Sequence, residues 1–323
     1  MIQIDESARL IGRARLGRDS YIAQGSVVRS NDNSVEIGNK TWVLENSVLL
    51  GTRKNPLKVG SKTVFGHKCI AIGTEIGDLC EIGNGSTFLP GSKVGNMCIF
   101  GEGTLIPEDA VIPDESVVVG RPGRVIRKLT EDDRNMIKRM RGNDTSISPF
   151  EENIIDIDGK ESDIMGKLYT LDGKYPNVSD SAYIYNSAEI NGDVEIGENS
   201  IIASGVRIIG NTHGPVIIGA NVQILENTVL HLLPDNQLII EDDVTIGPGC
   251  IIHGTTIGKG SVVESGAIVC DYSRLGSNTL VTSGSLVKQR SVFEDNEILE
   301  GFPAKSVGTN ETTLKRPDWA IRL

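Results

Sequence analysis

The chain has 323 residues, a formal net charge of −11 and a pI of about 5.0, which is enough length for two domains with cores of their own. Lys and Arg form no basic stripe and no run of 18 apolar residues occurs, so neither a nucleic acid nor a membrane is an expected partner. The opening residues do not read as a signal peptide, and five scattered cysteines without a CxxC pair fit a reducing compartment, so we expect a soluble, cytoplasmic protein.

A six-residue rhythm fills residues 1–128. Hexads such as IAQGSV, VLENSV, IGNGST and VGNMCI open with an aliphatic residue. A helix has a period near 3.6 and an amphipathic strand a period of 2, so neither explains a period of six. The pattern predicts coils with three short flat faces, each with one inward aliphatic residue, and with Gly, Asn and Asp at the corners. Stacked coils would bury a continuous aliphatic column.

The hexad pattern stops over residues 129–175. The stretch LTEDDRNMIKRMRG predicts a helix, since Thr130 can cap it with Asp133 three residues on, and Gly142 can end it. Met136, Ile137 and Met140 would face the β-coils. The rest of this region reads as an acidic connector with a strand at IIDID.

The hexads return over residues 176–310 and are followed by a tail, 311–323. The two copies align with each other: from Leu44 to Arg124, adding 181 gives the partner residue without a gap, so Glu45 matches Glu226. This is the pattern of a tandem duplication.

The hexads resemble the hexapeptide-repeat proteins, whose fold is a left-handed parallel β-helix. The resemblance implies an all-β chain with two tandem left-handed parallel β-helices and a short α-helix after the first. The handedness comes from the resemblance alone, because ordinary parallel crossovers are right-handed.

The second copy is also similar to the γ-class carbonic anhydrases. Its stretch ILENTVLHLLPDNQLIIEDDVTIGPGCIIHGTTIG follows that family's N-x-Q-D-x-x-V-L-H, a loop, then I-G-H-x-x-x-x-H-G. The family's three histidines bind a metal, usually zinc, and the middle one comes from a neighbouring subunit. On this resemblance His231 is the first ligand and His253 the third, while Pro248 fills the middle column.

The first copy holds the complementary part of the set. Only the middle ligand is present there, as His67, and Leu50 and Ile72 fill the other two columns. The resemblance therefore implies one composite site for Zn²⁺ (or Fe²⁺), made by His67, His231 and His253 where unlike copies meet. It further implies CO₂ and bicarbonate as substrates, and a homo-oligomer with trimer-like packing of the β-helices.

Two more positions carry family roles. The family's Arg-x-Asp loop resembles VVRSND, in which Arg29 matches and Asn31 replaces the Asp; Arg29 would bind bicarbonate or pair with an acid. The family's Gln-Asp pair is Leu225-Glu226 here, so the Gln is lost. Glu226 is a candidate proton acceptor or partner of a ligand, with a solvated corner carboxylate as the alternative. His213 matches no ligand, and we expect it to be structural or solvent-facing.

Two other readings stay open. The stretches VVVGRPGRVIRKL and EGFPAKSV resemble the C-terminal signature of hexapeptide acyltransferases, which would use CoA and a histidine base, such as His231 or His253. The same prolines and basic residues could simply end each β-helix. The third reading is a non-catalytic scaffold or pseudoenzyme of the same descent.

Overall fold

The computed structural model describes residues 1–31, 33–157 and 165–322. The chain divides into two compact units, Met1–Lys160 and Glu161–Leu323. Among the described residues, no helix is both long enough and apolar enough to cross a membrane.

The first unit is a stack of short strands. In chain order, strands β1 to β20 are Gln3–Ile4, Arg9–Gly17, Tyr21–Ile22, Val27–Ser30, Val35–Ile37, Trp42–Val43, Val48–Gly51, Leu57–Val59, Val64–Phe65, Ile70–Ile72, Glu75–Ile76, Glu81–Ile82, Thr87–Phe88, Lys93–Val94, Ile99–Phe100, Leu105–Ile106, Val111–Ile112, Ser116–Gly120, Gly123–Lys128 and Glu152–Ile157.

The second unit repeats the arrangement. Strands β21 to β42 are Lys167–Tyr169, Asn177–Val178, Tyr183–Ile184, Glu189–Gly192, Val194–Ile196, Ile201–Ile202, Arg207–Gly210, Val216–Ile218, Gln223–Ile224, Val229–Leu230, Leu238–Ile240, Thr245–Ile246, Ile251–Ile252, Thr256–Ile257, Val262–Val263, Ile268–Val269, Arg274–Leu275, Leu280–Val281, Leu286–Val287, Val292–Phe293, Glu297–Gly301 and Ala304–Thr309.

Within the stacks, a strand pairs in parallel with the equivalent strand of the next coil, which is usually three strands later in the chain. In the second unit this gives three sheets, ordered β21-β24-β27-β30-β33-β36-β39, β22-β25-β28-β31-β34-β37-β40 and β23-β26-β29-β32-β35-β38-β41-β42. In the first unit the long strand β2 belongs to two faces and joins them, and β20, at the predicted IIDID strand, pairs with β2 in antiparallel fashion. Each stack ends in an antiparallel hairpin, β18–β19 and β41–β42.

The inward position of each hexad builds the core. Val43, Phe65, Ile82 and Phe100 of the first unit stand in direct register on successive coils and are at most 4 % exposed. The second unit stacks Ile202, Ile224, Ile246 and Val263 in the same way, and all four are fully buried. The prediction of two tandem parallel β-helices with a short α-helix after the first is therefore confirmed.

That helix, α1, spans Glu131–Met140 and has the predicted capping box between Thr130 and Asp133. Ile137 is fully buried against Leu79 and Val117. Met140 faces the β-coils as expected and borders a groove with Trp42 and Val64, but it is not buried, since 56 % of it remains exposed. Ile137 is therefore the buried residue of α1.

A buried ion pair follows the helix. The guanidinium of Arg141 contacts the carboxylate of Glu81, and the two side chains are 9 % and 11 % exposed. Arg141 also donates from Nε to the carbonyl oxygen of Lys62 at 2.8 Å. Burial raises the pKa of the Glu81 carboxyl to about 7, although Arg141 acts in the opposite direction. The end of α1 is therefore held by a titratable contact.

This pair predicts a pH dependence of the free energy of unfolding. A carboxyl whose folded-state pKa lies above its unfolded value binds more protons when folded. Its contribution is therefore present below about pH 4.5 and is lost as the pH rises through about 7. We expect the melting temperature of wild type relative to Glu81→Gln to fall between pH 5 and 7.5, by the equivalent of about 1–3 kcal/mol. A difference that stays constant across this range would contradict the prediction.

Candidate metal centre

His231 and His253 lie one coil apart on the second unit, directly after β30 and β33. Val229 pairs with Ile251 and Leu230 with Ile252, so the two histidines take the next position of the same register. Their ring centroids are 6.3 Å apart and their planes are nearly perpendicular. Two of the three predicted ligands are therefore neighbours because the hexad register aligns them.

A buried carboxylate faces His253. Asp271, which the sequence analysis missed, is 5 % exposed, and its Oδ2 lies 3.1 Å from Nδ1 of His253 in an electrostatic contact rather than an aligned hydrogen bond. Its Oδ1 accepts hydrogen bonds from the backbone N–H groups of Leu233 and Gly254 and from the Asn236 amide, at 3.0, 3.1 and 3.2 Å. Asp271 is thus fixed in place and favours the His253 tautomer in which Nε2 can bind a metal. The internal alignment carries a signal for it, since the first copy has Pro90 at the matching position.

Removing the negative charge of Asp271 should weaken the preference of the His253 imidazole for one tautomer. We expect Asp271→Asn, which keeps the Oδ1 acceptor, to leave the fold intact while His253 populates both tautomers and the affinity for metal falls about 10- to 100-fold. Nitrogen-15 NMR of the metal-free protein reads the tautomer directly, and Asp243→Asn, at a corner of the same unit, is the matched control. An unchanged tautomer ratio would contradict the assigned role.

His213 extends the row of imidazoles. Its ring lies 6.3 Å from that of His231, and its Nδ1 lies 3.2 Å from the carbonyl oxygen of Leu232. Burial lowers the pKa of His231, and positive charge on His253 or His213 lowers it further, while Asp271 opposes the shift. His231 is therefore neutral at pH 7, the form that binds metal.

The first unit presents His67 at the corner after β9. Its Nδ1 lies 2.6 Å from Oε2 of Glu45, and its side chain is 52 % exposed. The backbone N–H of His67 donates to the Asn84 side chain at 2.7 Å, which fixes the corner. Glu45 thus stands to His67 as Asp271 stands to His253: a carboxylate at Nδ1, with Nε2 left for another partner.

The remaining ligand columns of the first unit are apolar. Leu50 and Ile72 pair across adjacent coils, and both are buried. Arg29 is the next residue in the same register and is 3 % exposed. In this column the first unit therefore has Arg29, Leu50 and Ile72, where the second unit has its two adjacent histidines.

Glu226 lies five residues before His231 and is fully buried. The alternative of a solvated corner carboxylate is therefore wrong. Its backbone carbonyl accepts from the N–H of Gly249, the residue after Pro248, at 2.8 Å. Glu226 is a structural neighbour of the corner that holds Pro248 where the family has its middle ligand.

No three side chains of His, Cys, Asp or Glu are placed to hold one metal ion anywhere in residues 1–31, 33–157 and 165–322. His231 and His253 are imidazoles on adjacent coils, a donor type suited to zinc, and no third His, Cys, Asp or Glu of the described residues completes a set with them.

Comparison with known proteins shows which family the repeats belong to. Residues 175–210 match the family model "Bacterial transferase hexapeptide (six repeats)", and residues 56–88 and 237–271 match "Hexapeptide repeat of succinyl-transferase". A carbonic anhydrase of Geobacillus kaustophilus is 37 % identical over 140 residues, which is 43 % of this chain and 76 % of that protein. The chain belongs to the γ-carbonic anhydrase-like hexapeptide-repeat family.

Other members of this family and fold are similar over comparable stretches. "Gamma carbonic anhydrase 2, mitochondrial" of Arabidopsis thaliana is 33 % identical over 144 residues, and this chain spans about half, 51 %, of that relative's length. A solved hexapeptide transferase family protein from Anaplasma phagocytophilum is 32 % identical, with a TM-score of 0.43 over 45 % of this chain and 84 % of that one.

Proposed function

We propose that this protein catalyses the reversible hydration of CO₂ to bicarbonate at a metal site built from unlike repeats. His231 and His253 of a second unit supply two ligands, and His67 of a first unit supplies the third. The observation that carries the proposal is the matched carboxylate behind two of these imidazoles, Asp271 at His253 and Glu45 at His67. A carboxylate beside Nδ1 favours the tautomer in which Nε2 is available to bind a metal.

The histidines and the carboxylates have separate roles in this proposal. The three neutral imidazoles of His67, His231 and His253 would hold zinc or ferrous ion, which would supply the Lewis acidity that CO₂ hydration needs at neutral pH. The lowered pKa of His231 keeps that imidazole available as a ligand at pH 7. Asp271 and Glu45 hold the orientation of their histidines.

Roles are also proposed for Arg29 and Glu226, which are not metal ligands. Arg29 is proposed to bind bicarbonate, and Glu226 to stabilise the corner beside the ligands or to accept a proton. Both side chains are buried, so each can act on a substrate only from inside the protein. Arg29→Ala would raise KM for bicarbonate if it binds substrate, and would lower stability alone if its role is packing.

The experiment is CO₂ hydration followed by stopped-flow pH indicator, with metal content measured on the same samples. We expect zinc- or iron-loaded wild type to be active, and His253→Ala to fall to the uncatalysed rate. Metal-loaded wild type without activity above that rate would contradict the proposal.

A CoA-dependent acyltransferase is the second candidate. The match of residues 237–271 to a succinyl-transferase repeat favours it, because this stretch contains His253 and Asp271, which together have the composition of a general base and its orienting acid. An acyl-CoA that raises the melting temperature in proportion to the logarithm of its concentration would support this candidate. If the protein binds neither a metal nor an acyl-CoA, the hypothesis of a non-catalytic scaffold is favoured.

A further inference from the structure

One face of the second unit carries an exposed apolar stripe beside its histidines. Val229, Ile251, Ile268 and Leu286 stand in direct register on four successive coils. Val229 and Ile251 are 37 % and 40 % exposed, and the other two are partly exposed. His231 and His253 follow Val229 and Ile251 by two residues, so the stripe leads directly to the incomplete ligand set.

The first unit carries an apolar groove beside its own histidine. This groove, of about 580 Å³, has a floor of Trp42, Leu44 and Val64 and is bordered by Met140. Trp42 is 50 % exposed and Met140 56 % exposed. Leu44 precedes Glu45, and Val64 is three residues before His67, so His67 lies at the corner that follows a strand of this groove.

The charges around the Trp42 groove are already paired within the first unit. Lys40 and Lys62 both contact the carboxylate of Asp144, at 3.1 and 2.7 Å, and Arg141 is paired with Glu81. No cation of this rim is left for an anionic ligand, so the groove favours an uncharged, apolar partner. The stripe on the second unit has this composition.

The second unit's own version of the groove is covered by the C-terminal tail, which leaves a cavity of about 410 Å³ beside Gln223. Gln223 occupies the position of Trp42, and its side chain exchanges two hydrogen bonds with the backbone of Ile321, at 2.8 and 3.0 Å. Trp319, Ala320 and Ile321 of the C-terminal tail are buried there. The tail therefore leaves the first unit's groove as the acceptor.

We infer that the Val229–Leu286 stripe of one copy docks on the Trp42 groove of a second copy of this chain, and that the tail enforces this pairing of unlike repeats. The inference rests on the proposed composite site. It identifies the partner as a second copy because the groove, whose charges are already paired, matches the apolar stripe, and the corresponding groove of the second unit is covered by its own tail. Docking apolar stripe to apolar groove brings His231 and His253 of one copy to His67 of the next.

Complementation tests the inference. His67→Ala and His253→Ala chains are prepared separately, mixed in equal amounts, unfolded and refolded together, and then dialysed against zinc. Random assembly joins an intact second unit to an intact first unit at about one interface in four, so the mixture should retain about one quarter of the wild-type zinc, while each variant alone retains none. Zinc at wild-type level in wild type and none in the mixture would place the site within one chain and overturn the inference.

A second measurement separates failure of the inference from failure of the proposed function. By sedimentation, wild type should be larger than one chain, and Trp42→Glu and Ile251→Glu should each reduce the assembled mass. Val111→Glu is the control, since Val111 is 71 % exposed and lies outside the groove. If wild type binds no metal but these masses behave as stated, the proposed function fails and the interface stands. Variants that fold and keep the wild-type mass overturn the interface.

Discussion

Replacing His67 by alanine should strip the purified protein of its metal as completely as replacing His253, although the two residues lie in different repeats. Each variant removes one of three imidazoles, so we expect the affinity for zinc to fall by more than about 100-fold, beyond the loss seen when only an orienting group is removed. Equilibrium dialysis followed by elemental analysis measures this, and cobalt substitution adds a visible absorption band that reports the ligand set.

His213→Ala is the matched control, because His213 contacts His231 by its ring but is not one of the proposed ligands. It should leave the zinc content within about twofold of wild type. A further variant separates two assemblies: adding Pro248→His to His67→Ala supplies the middle ligand within the second unit, and should restore zinc only if second units meet each other. Full zinc in His67→Ala alone would end the case for a composite site.

The largest stability effect is expected in the core of the first unit. Phe88 is fully buried, and its ring lies 5.0 Å from that of Phe100 and 6.5 Å from that of Phe65. Because a stacked coil cannot collapse into a gap between two fixed neighbours, Phe88→Ala should lower the free energy of unfolding by about 3–5 kcal/mol.

Calorimetry is the appropriate measurement, since it shows whether one transition or two are affected. Val111→Ala, at a 71 % exposed position of the same unit, should change the free energy by less than about 0.5 kcal/mol. A loss of less than about 1 kcal/mol for Phe88→Ala would show that the coils repack around the vacancy.

The architecture was predictable because every coil repeats the same sequence pattern. An aliphatic residue every six positions specifies the inward column, and Val43, Phe65 and Ile82 lie where the hexads put them. The helix was predictable for a local reason, the capping box of Thr130 and Asp133. The helix face that carries Met140 was also predictable, but its 56 % exposure was not, because periodicity specifies a face and not how deeply each residue packs.

The electrostatic surroundings of the histidines were less accessible. Asp271 reaches His253 from the next coil, 18 residues away, and Glu45 reaches His67 across 22 residues. Such pairs depend on the register between coils, which the intervening loops set, so a six-residue pattern does not reveal them. The meeting of His67 with His231 and His253 remains a prediction, because it depends on assembly and not on the folding of either unit.

The contact between Gln223 and Ile321 joins residues 98 positions apart. In a solenoid each coil normally touches only its neighbours, so unfolding can spread from an end one coil at a time. This clasp links the last residues of the chain to a coil near the middle of the second unit and bypasses the coils between them. Unfolding that starts at the C-terminal coils must first break the hydrogen bonds between Gln223 and Ile321. Truncating the tail at residue 316 should therefore convert a concerted melting of the second unit into a gradual one.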